Sequence, residues 1–293
     1  MKGFGLILVD KPTGPTSHKV VSIVRRETGV RKVGHAGTLD PRASGVLILC
    51  LGPATRLSEY LSTTSKRYEA VVRFGKSTKT YDAEGDDIHI TGAVPTEEDI
   101  RDIIPEFTGK IEQVPPPYSA IKVKGKKAYE LAREGKEVNL ESRDVTIYKL
   151  NLVEYRPPDL VLDIECSAGT YIRSLAHDLG EQLGTGAFLA NLRRTKVGHF
   201  TIDDCVSLRT LELGFVDGTW AEHLRPAVDA LPDLPRISVE GKNYEDVTFG
   251  RLIPADGTAS GTAMAIGPDG DLAAILEAAE DGTKWHPKKV FTH

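Results

Sequence analysis

A single acid, Asp40, stands in the stretch Gly34-His35-Ala36-Gly37-Thr38-Leu39-Asp40-Pro41-Arg42-Ala43-Ser44-Gly45, just before the apolar run Val46-Leu47-Ile48-Leu49-Cys50-Leu51. A carboxylate in such a place can act as a nucleophile, forming a covalent intermediate that divides one difficult step into easier ones. It can also serve as a general acid or base, or join His35 as a metal ligand. The glycines allow positive φ and a close approach of backbone to a ligand, and Pro41 stiffens the position after the acid. An attacking carboxylate must be ionised, and burial favours the neutral acid, so a nearby cation is required. Against a metal site, the chain has no His-x-x-x-His pair and no clustered carboxylates of the usual kind.

The surrounding elements must hold that loop. The branched run from Val46 reads as a buried strand, which places the Asp40 loop at the edge of a sheet. Gly5 to Val9 reads as another strand. Ser17 to Thr28 reads as a helix, with Ser17 as N-cap, Val20, Val21 and Val24 on one face and Gly29 as terminator. A helix is expected around Ala54 to Leu61 and a strand from Tyr68 to Phe74. Thr96-Glu97-Glu98-Asp99 starts a helix whose Ile100, Ile103, Ile104 and Phe107 recur at helical spacing. Leu160 to Cys166 alternates as a strand with one wet face, and Tyr171 to Leu183 follows as a helix. Strands and helices without regular βαβ periodicity predict an α+β fold, with a mixed, largely antiparallel sheet flanked by helices.

The chain has 293 residues, 40% hydrophobic and 27% charged, an ordinary globular composition long enough for one large domain and a small one. Phe4 to Val9 is too short for a signal-peptide core, and no stretch approaches the roughly 20 apolar residues of a membrane span. Cys50, Cys166 and Cys205 lie far apart without a Cys-x-x-Cys pair, which argues against structural zinc or a disulfide framework and fits a reducing cytoplasm. A net charge of −5 counts against a nucleic-acid partner only as a sum. Locally, Lys122, Lys124, Lys126, Lys127, Arg133 and Lys136 face only Glu130 and Glu134, with Tyr118 and Tyr129 interleaved. Arg193, Arg194 and Lys196 form a second basic cluster.

Six segments in order carry a family resemblance. The Asp40 stretch resembles the pattern Gly-His-x-Gly-x-Leu-Asp-Pro-x-Ala-x-Gly of the TruB-type tRNA pseudouridine synthases. Lys11-Pro12-Thr13-Gly14-Pro15-Thr16-Ser17 resembles their amino-terminal Lys-Pro-x-Gly motif, and Lys66-Arg67-Tyr68-Glu69 with Tyr81-Asp82-Ala83-Glu84-Gly85 resembles the second motif and the loop after it. Val114-Pro115-Pro116-Pro117-Tyr118-Ser119-Ala120-Ile121-Lys122, running on through Tyr129 to Gly135, is similar to a segment marking the tRNA-specific branch. Gly169-Thr170-Tyr171-Ile172-Arg173-Ser174-Leu175 resembles the third motif.

The resemblance implies isomerisation of uridine 55 in the T loop of tRNA, by breaking its glycosidic bond and rejoining the base through C5, with no metal or organic cofactor. It makes Asp40 the nucleophile and Arg173 its cation. Attack on ribose C1′ and attack on uracil C6 need the same carboxylate. Tyr68 lies against the target base and is implicated in removing the C5 proton, although an unaided phenol is a poor base at neutral pH. His35 is associated with base extrusion. Asp82 anchors substrate or Arg173, Leu192 lines an apolar pocket or the core, and Tyr171, Lys122 and Lys126 are further substrate contacts. Lys11 and Pro12 brace the catalytic loop.

By the same resemblance, residues 1–233 form a pseudouridine synthase domain whose segment 115–140 clamps RNA, and 236–293 form a small β-rich, PUA-like domain beyond Leu231-Pro232-Asp233-Leu234-Pro235. A monomer acting on the T stem-loop, without a membrane partner, is expected. Two other readings compete: a non-catalytic RNA-binding or tRNA-folding chaperone on the same fold, and a hydrolase or transferase using His35 and Asp40.

Overall fold

The structure is a computed structural model that describes residues 4–119, 121–123, 125–135 and 138–291. It divides into two compact units, the first formed by 1–41, 46–62 and 203–293, the second by 42–45 and 63–202. Strands and helices are numbered along the whole chain.

The first unit begins with β1 (Gly5–Lys11), a nearly fully buried strand, followed by α1 (Ser17–Thr28) and β2 (Val33–Ala36). β2 runs antiparallel to β3 (Ser44–Leu51), placing His35 opposite Leu49, and β1 pairs in parallel with β14 (Val206–Ser207). Gly29 closes α1 in the left-handed region as expected, but the N-cap is Thr16, not Ser17. The Thr16 hydroxyl accepts from the Lys19 amide at 3.0 Å. Ser17 is drawn away by a tertiary demand described below. The expected helix near Ala54 to Leu61 is a 3₁₀ turn, Gly52–Leu57, leading into the short α2 (Ser58–Ser62). After α6 (Leu208–Asp217) comes the β-rich C-terminal portion. There β15 (Arg236–Ser238), β17 (Thr262–Ile266), β18 (Leu272–Ala278), β19 (Lys284–Val290) and β16 (Ile253–Pro254) form a sheet in that order. α7 (Gly241–Thr248) contributes Val247 to its core.

The second unit is built on antiparallel ladders joining β12 (Ala187–Val197), β4 (Lys66–Phe74), β11 (Asp159–Cys166), β10 (Arg143–Arg156) and β7 (Gly109–Gln113), with β13 (Phe200–Thr201) turning back on β12. β11 alternates as predicted, with Leu160, Leu162, Ile164 and Cys166 inward. They share a core with Tyr68, Ala70, Val72 and Phe74 of β4, and with Ile172, Leu175, Ala176 and Leu179 of α5 (Ile172–Gln182). α3 (Glu97–Ile103) is capped by Thr96 in a capping box with Asp99, and Pro105 lies in the 3₁₀ turn that follows it. Two small hairpins complete the unit: β5 (Lys76–Thr78) with β6 (Asp87–Ile90), and β8 (Lys122–Val123) with β9 (Lys126–Lys127), the latter leading into α4 (Ala128–Arg133).

Candidate active site

In the first unit the Asp40 loop leaves β2 and is gripped through its backbone. The buried Ser17 hydroxyl donates to the Leu39 carbonyl and accepts from the Leu39 amide, both at 2.8 Å. On the other side of the acid, the Pro41 carbonyl accepts from the Gly14 amide at 2.8 Å and from Lys11 Nζ at 3.3 Å. Lys11 is 0% exposed and also donates to the Pro12 carbonyl at 2.8 Å. A buried ammonium without such carbonyls would cost several kcal/mol, of order the penalty for an unpaired buried charge. The residues before and after Asp40 are therefore fixed, while Asp40 itself is half-buried, as is His35.

The chain passes from the first unit to the second between Pro41 and Arg42. There Ser44 and Gly45 run parallel to Arg193 and Arg194 of β12. Gly45 has φ +101°, and a Cβ at this position would collide with the Arg194 carbonyl oxygen. Only glycine fits both demands. Gly45→Ala is expected to lower stability by about 2–4 kcal/mol, from backbone strain and overpacking together, read as a shift in the urea midpoint.

The inward row of β4 presents Lys66, Tyr68, Ala70, Val72 and Phe74. Tyr68 is buried in the core between Ile164 of β11 and Arg194 of β12 in the strand register. Leu192 is half-buried and packs against the same cluster. Burial, with Arg194 adding repulsion, pushes the Lys66 ammonium down to about 8.

Arg173 occupies the first turn of α5 and is 7% exposed. From its fork, Nη1 donates to the Thr80 carbonyl at 3.3 Å and to Asp82 Oδ2 at 3.4 Å, and Nη2 to the Tyr118 carbonyl at 3.1 Å. Asp82 sits in the loop between β5 and β6, its Oδ1 held by the Thr80 hydroxyl at 2.5 Å and the Glu84 amide at 2.9 Å. Tyr171, the residue preceding α5, carries the Arg143 guanidinium 4.6 Å over its ring. Its backbone is clamped by Gln113, whose Nε2 donates to the Tyr171 carbonyl at 3.0 Å and whose Oε1 accepts the Tyr171 amide at 2.7 Å. Ser174 Oγ donates to the Val114 carbonyl at 2.7 Å. The segment opening with Gln113 is thereby stitched to the start of the helix that bears Arg173.

A family model described as TruB family pseudouridylate synthase (N terminal domain) matches residues 25–172, and the tRNA pseudouridylate synthase B C-terminal domain matches 173–232. The chain belongs to the TruB family of pseudouridylate synthases. It is 45% identical to the tRNA pseudouridine synthase B of Arthrobacter sp. (strain FB24), over 98% of this chain and 96% of that one. Among solved structures it is similar to a Cbf5-Nop10-Gar1 complex, with TM-score 0.75 and 29% identity, covering 99% of this chain and 85% of that one. It is also similar to an H/ACA RNP bound to a substrate RNA containing 2′-deoxyuridine, with TM-score 0.74 and 27% identity over 99% and 86% of the two chains.

In this TruB family member the basic segment is described in part. Lys126 is exposed, and the backbone of Lys122 lies in β8. The side chains of Lys122, Lys127 and Arg133, and all of Lys124 and Lys136, fall outside the described residues. Among the described residues no group of three or more His, Cys, Asp or Glu is placed to hold a metal ion. Among them, too, no helix is long and apolar enough to cross a membrane. Sequence reasoning missed Ser17, Thr80, Gln113 and the Tyr118 carbonyl. Ser17 and Tyr118 are marked in the sequence for other reasons, Ser17 as a helix cap and Tyr118 beside the basic segment, and nothing in the sequence marks Thr80 or Gln113.

Proposed function

We propose that this enzyme converts uridine 55 in the T loop of tRNA to pseudouridine, with Asp40 as the nucleophile. The observation that carries this reading is the backbone grip on Leu39 and Pro41, which fixes the one acid of the motif from both sides. Relatives at 45% identity bearing the name tRNA pseudouridine synthase B support tRNA as the substrate. On this reading Arg173 supplies the positive charge that keeps Asp40 ionised, and Asp82 anchors Arg173. His35 takes the place of the neighbours that the flipped nucleotide leaves behind in the stack, and Tyr68 packs against the base. Asp40 bonds to the nucleotide, the C1′–N1 bond breaks, the base turns, C5 bonds to C1′, the bond to Asp40 is released, and the proton lost from C5 is matched by one gained at N1, so the change is an isomerisation needing no external oxidant or cofactor.

The test is incubation of purified protein with unmodified tRNA transcript and with a T stem-loop fragment, followed by position-resolved detection of pseudouridine. Modification at position 55 in both substrates is the expected result, since RNA loops present unstacked bases for extrusion. Modification confined to an anticodon-arm uridine would overturn it.

The segment 115–140 is proposed to close on the T loop, with its lysines on phosphates. Neutralising Lys122, Lys124, Lys126 and Lys127 together should weaken tRNA binding. It should also flatten the salt dependence of log K by up to about 0.7–0.9 for each phosphate no longer neutralised. Binding measured from low to high salt, with an unchanged slope, would remove the lysines from the interface.

A further inference from the structure

α5 carries Arg173, His177 and Glu181 at four-residue spacing, hence on one face. The hairpin opposite meets these three in reverse order. Asp82 pairs with Arg173 at 3.4 Å, the Tyr81 ring stacks on the His177 imidazole at 3.8 Å and 7°, and Ser77 Oγ donates to Glu181 Oε1 at 3.3 Å. Tyr81 is the non-glycine residue with positive φ among the described residues, at 62°. This left-handed backbone is sterically disfavoured for a tyrosine and persists only when its surroundings impose it. Here the Tyr81 carbonyl accepts from the Leu189 amide at 3.0 Å, its amide donates to the Thr78 carbonyl at 3.2 Å, and its ring lies flat on His177.

The imidazole suits a packing role. His177 Nδ1 is buried without a hydrogen-bond partner among the described residues, and burial pushes the group below the ordinary histidine range. A neutral ring offers a flat face to the phenol. The carboxyl groups flanking this stack are Asp178, pushed up to about 6 by burial and then by Glu181, and Glu181 itself.

We infer that the Tyr81–His177 stack positions Asp82 against Arg173, so that Tyr81 and His177 are positioning residues for the reaction. This rests on the reading of Arg173 and Asp82 as site residues. Besides the stack, the loop is docked by main-chain bonds to Leu189 and to Arg173, by the Ser77–Glu181 rung and by the ion pair, none of which fixes the direction of the Tyr81 side chain. The ring stack supplies the rigid middle point, and the left-handed turn at Tyr81 aims the next side chain, Asp82, at the first turn of the helix.

The test compares His177→Ala, His177→Phe, Tyr81→Gly and the double variant His177→Ala with Tyr81→Gly. Single-turnover rate at saturating tRNA, tRNA dissociation constant and melting temperature are measured for each. Glycine accepts positive φ, so Tyr81→Gly removes the ring while keeping the turn, and phenylalanine at 177 keeps a flat ring without imidazole chemistry. His177→Ala and Tyr81→Gly should slow the chemical step about 10- to 100-fold, the scale of a small misplacement at a reacting centre, with dissociation constants within about twofold of wild type. His177→Phe should recover the rate to within about threefold, and the double variant should be no slower than the slower single one, because both changes remove the same interaction. Wild-type rates in both His177→Ala and Tyr81→Gly would overturn the inference. So would a His177→Phe variant as slow as His177→Ala, or effects confined to affinity. The ratios are read on whichever uridine the wild type isomerises. A wild type active outside the T loop therefore fails the target assignment alone, and one inactive on every tRNA transcript fails both.

Discussion

Asp40→Asn is expected to lose turnover by roughly 10⁴-fold or more while binding tRNA almost as tightly as the wild type. The amide has nearly the shape of the carboxylate but is neutral and a far weaker nucleophile. The loop that presents it is held at Leu39 by Ser17 and at Pro41 by Gly14 and Lys11, and none of these bonds uses the side chain at position 40. Because the amide keeps the shape of the carboxylate, folding and RNA affinity should be spared, and the loss should fall on the chemical step. Single-turnover measurement with radiolabelled tRNA, alongside filter binding, separates the two. Substantial single-turnover activity in the variant would falsify the assignment of Asp40 as nucleophile.

Arg173→Lys should slow catalysis by roughly 10- to 100-fold despite keeping the charge, the scale set by losing a charge-assisted hydrogen bond of about 1.5–3 kcal/mol. The guanidinium serves the Thr80 carbonyl, Asp82 and the Tyr118 carbonyl from a planar fork. A lysine is a point charge with three rotatable donors on one nitrogen, and it cannot reproduce that spread. Arg173 is buried while Thr80, Asp82 and Tyr118 are half-buried, so an oxygen left without its donor loses a hydrogen bond that water replaces only in part. Near wild-type rates for the lysine variant would show that positive charge alone suffices and that the fork does not orient the site.

Legibility in the sequence followed physical cause. The β11 strand announced itself because Leu160, Leu162, Ile164 and Cys166 are buried at strict alternation. The fourteen-residue β10 beside it did not, since Arg143, Asp144, Lys149, Glu154 and Arg156 interrupt its pattern and its partners β7 and β11 settle its conformation. Both Thr16 and Ser17 carry a hydroxyl able to cap α1. Ser17 lost the role because Leu39, 22 residues away, claims its hydroxyl twice. Arg173 stood out through its motif, yet it donates to the main-chain carbonyls of Thr80 and Tyr118, groups that every residue owns and no sequence marks. The Tyr81–His177 stack joins residues about a hundred positions apart, and neither belongs to a periodic pattern that would flag it.

The grip on Leu39 and Pro41 turns position 40 into a socket. The flanking peptides take anchoring bonds of their own from Ser17, Gly14 and Lys11, so the backbone that delivers residue 40 is held on both sides of it. A reactive group differing from aspartate by one methylene or one atom would then test reach and nucleophilicity on a backbone still held at both neighbours. The enzyme is in this respect a ready mount for altered chemistry, including side chains chosen to trap the nucleotide covalently.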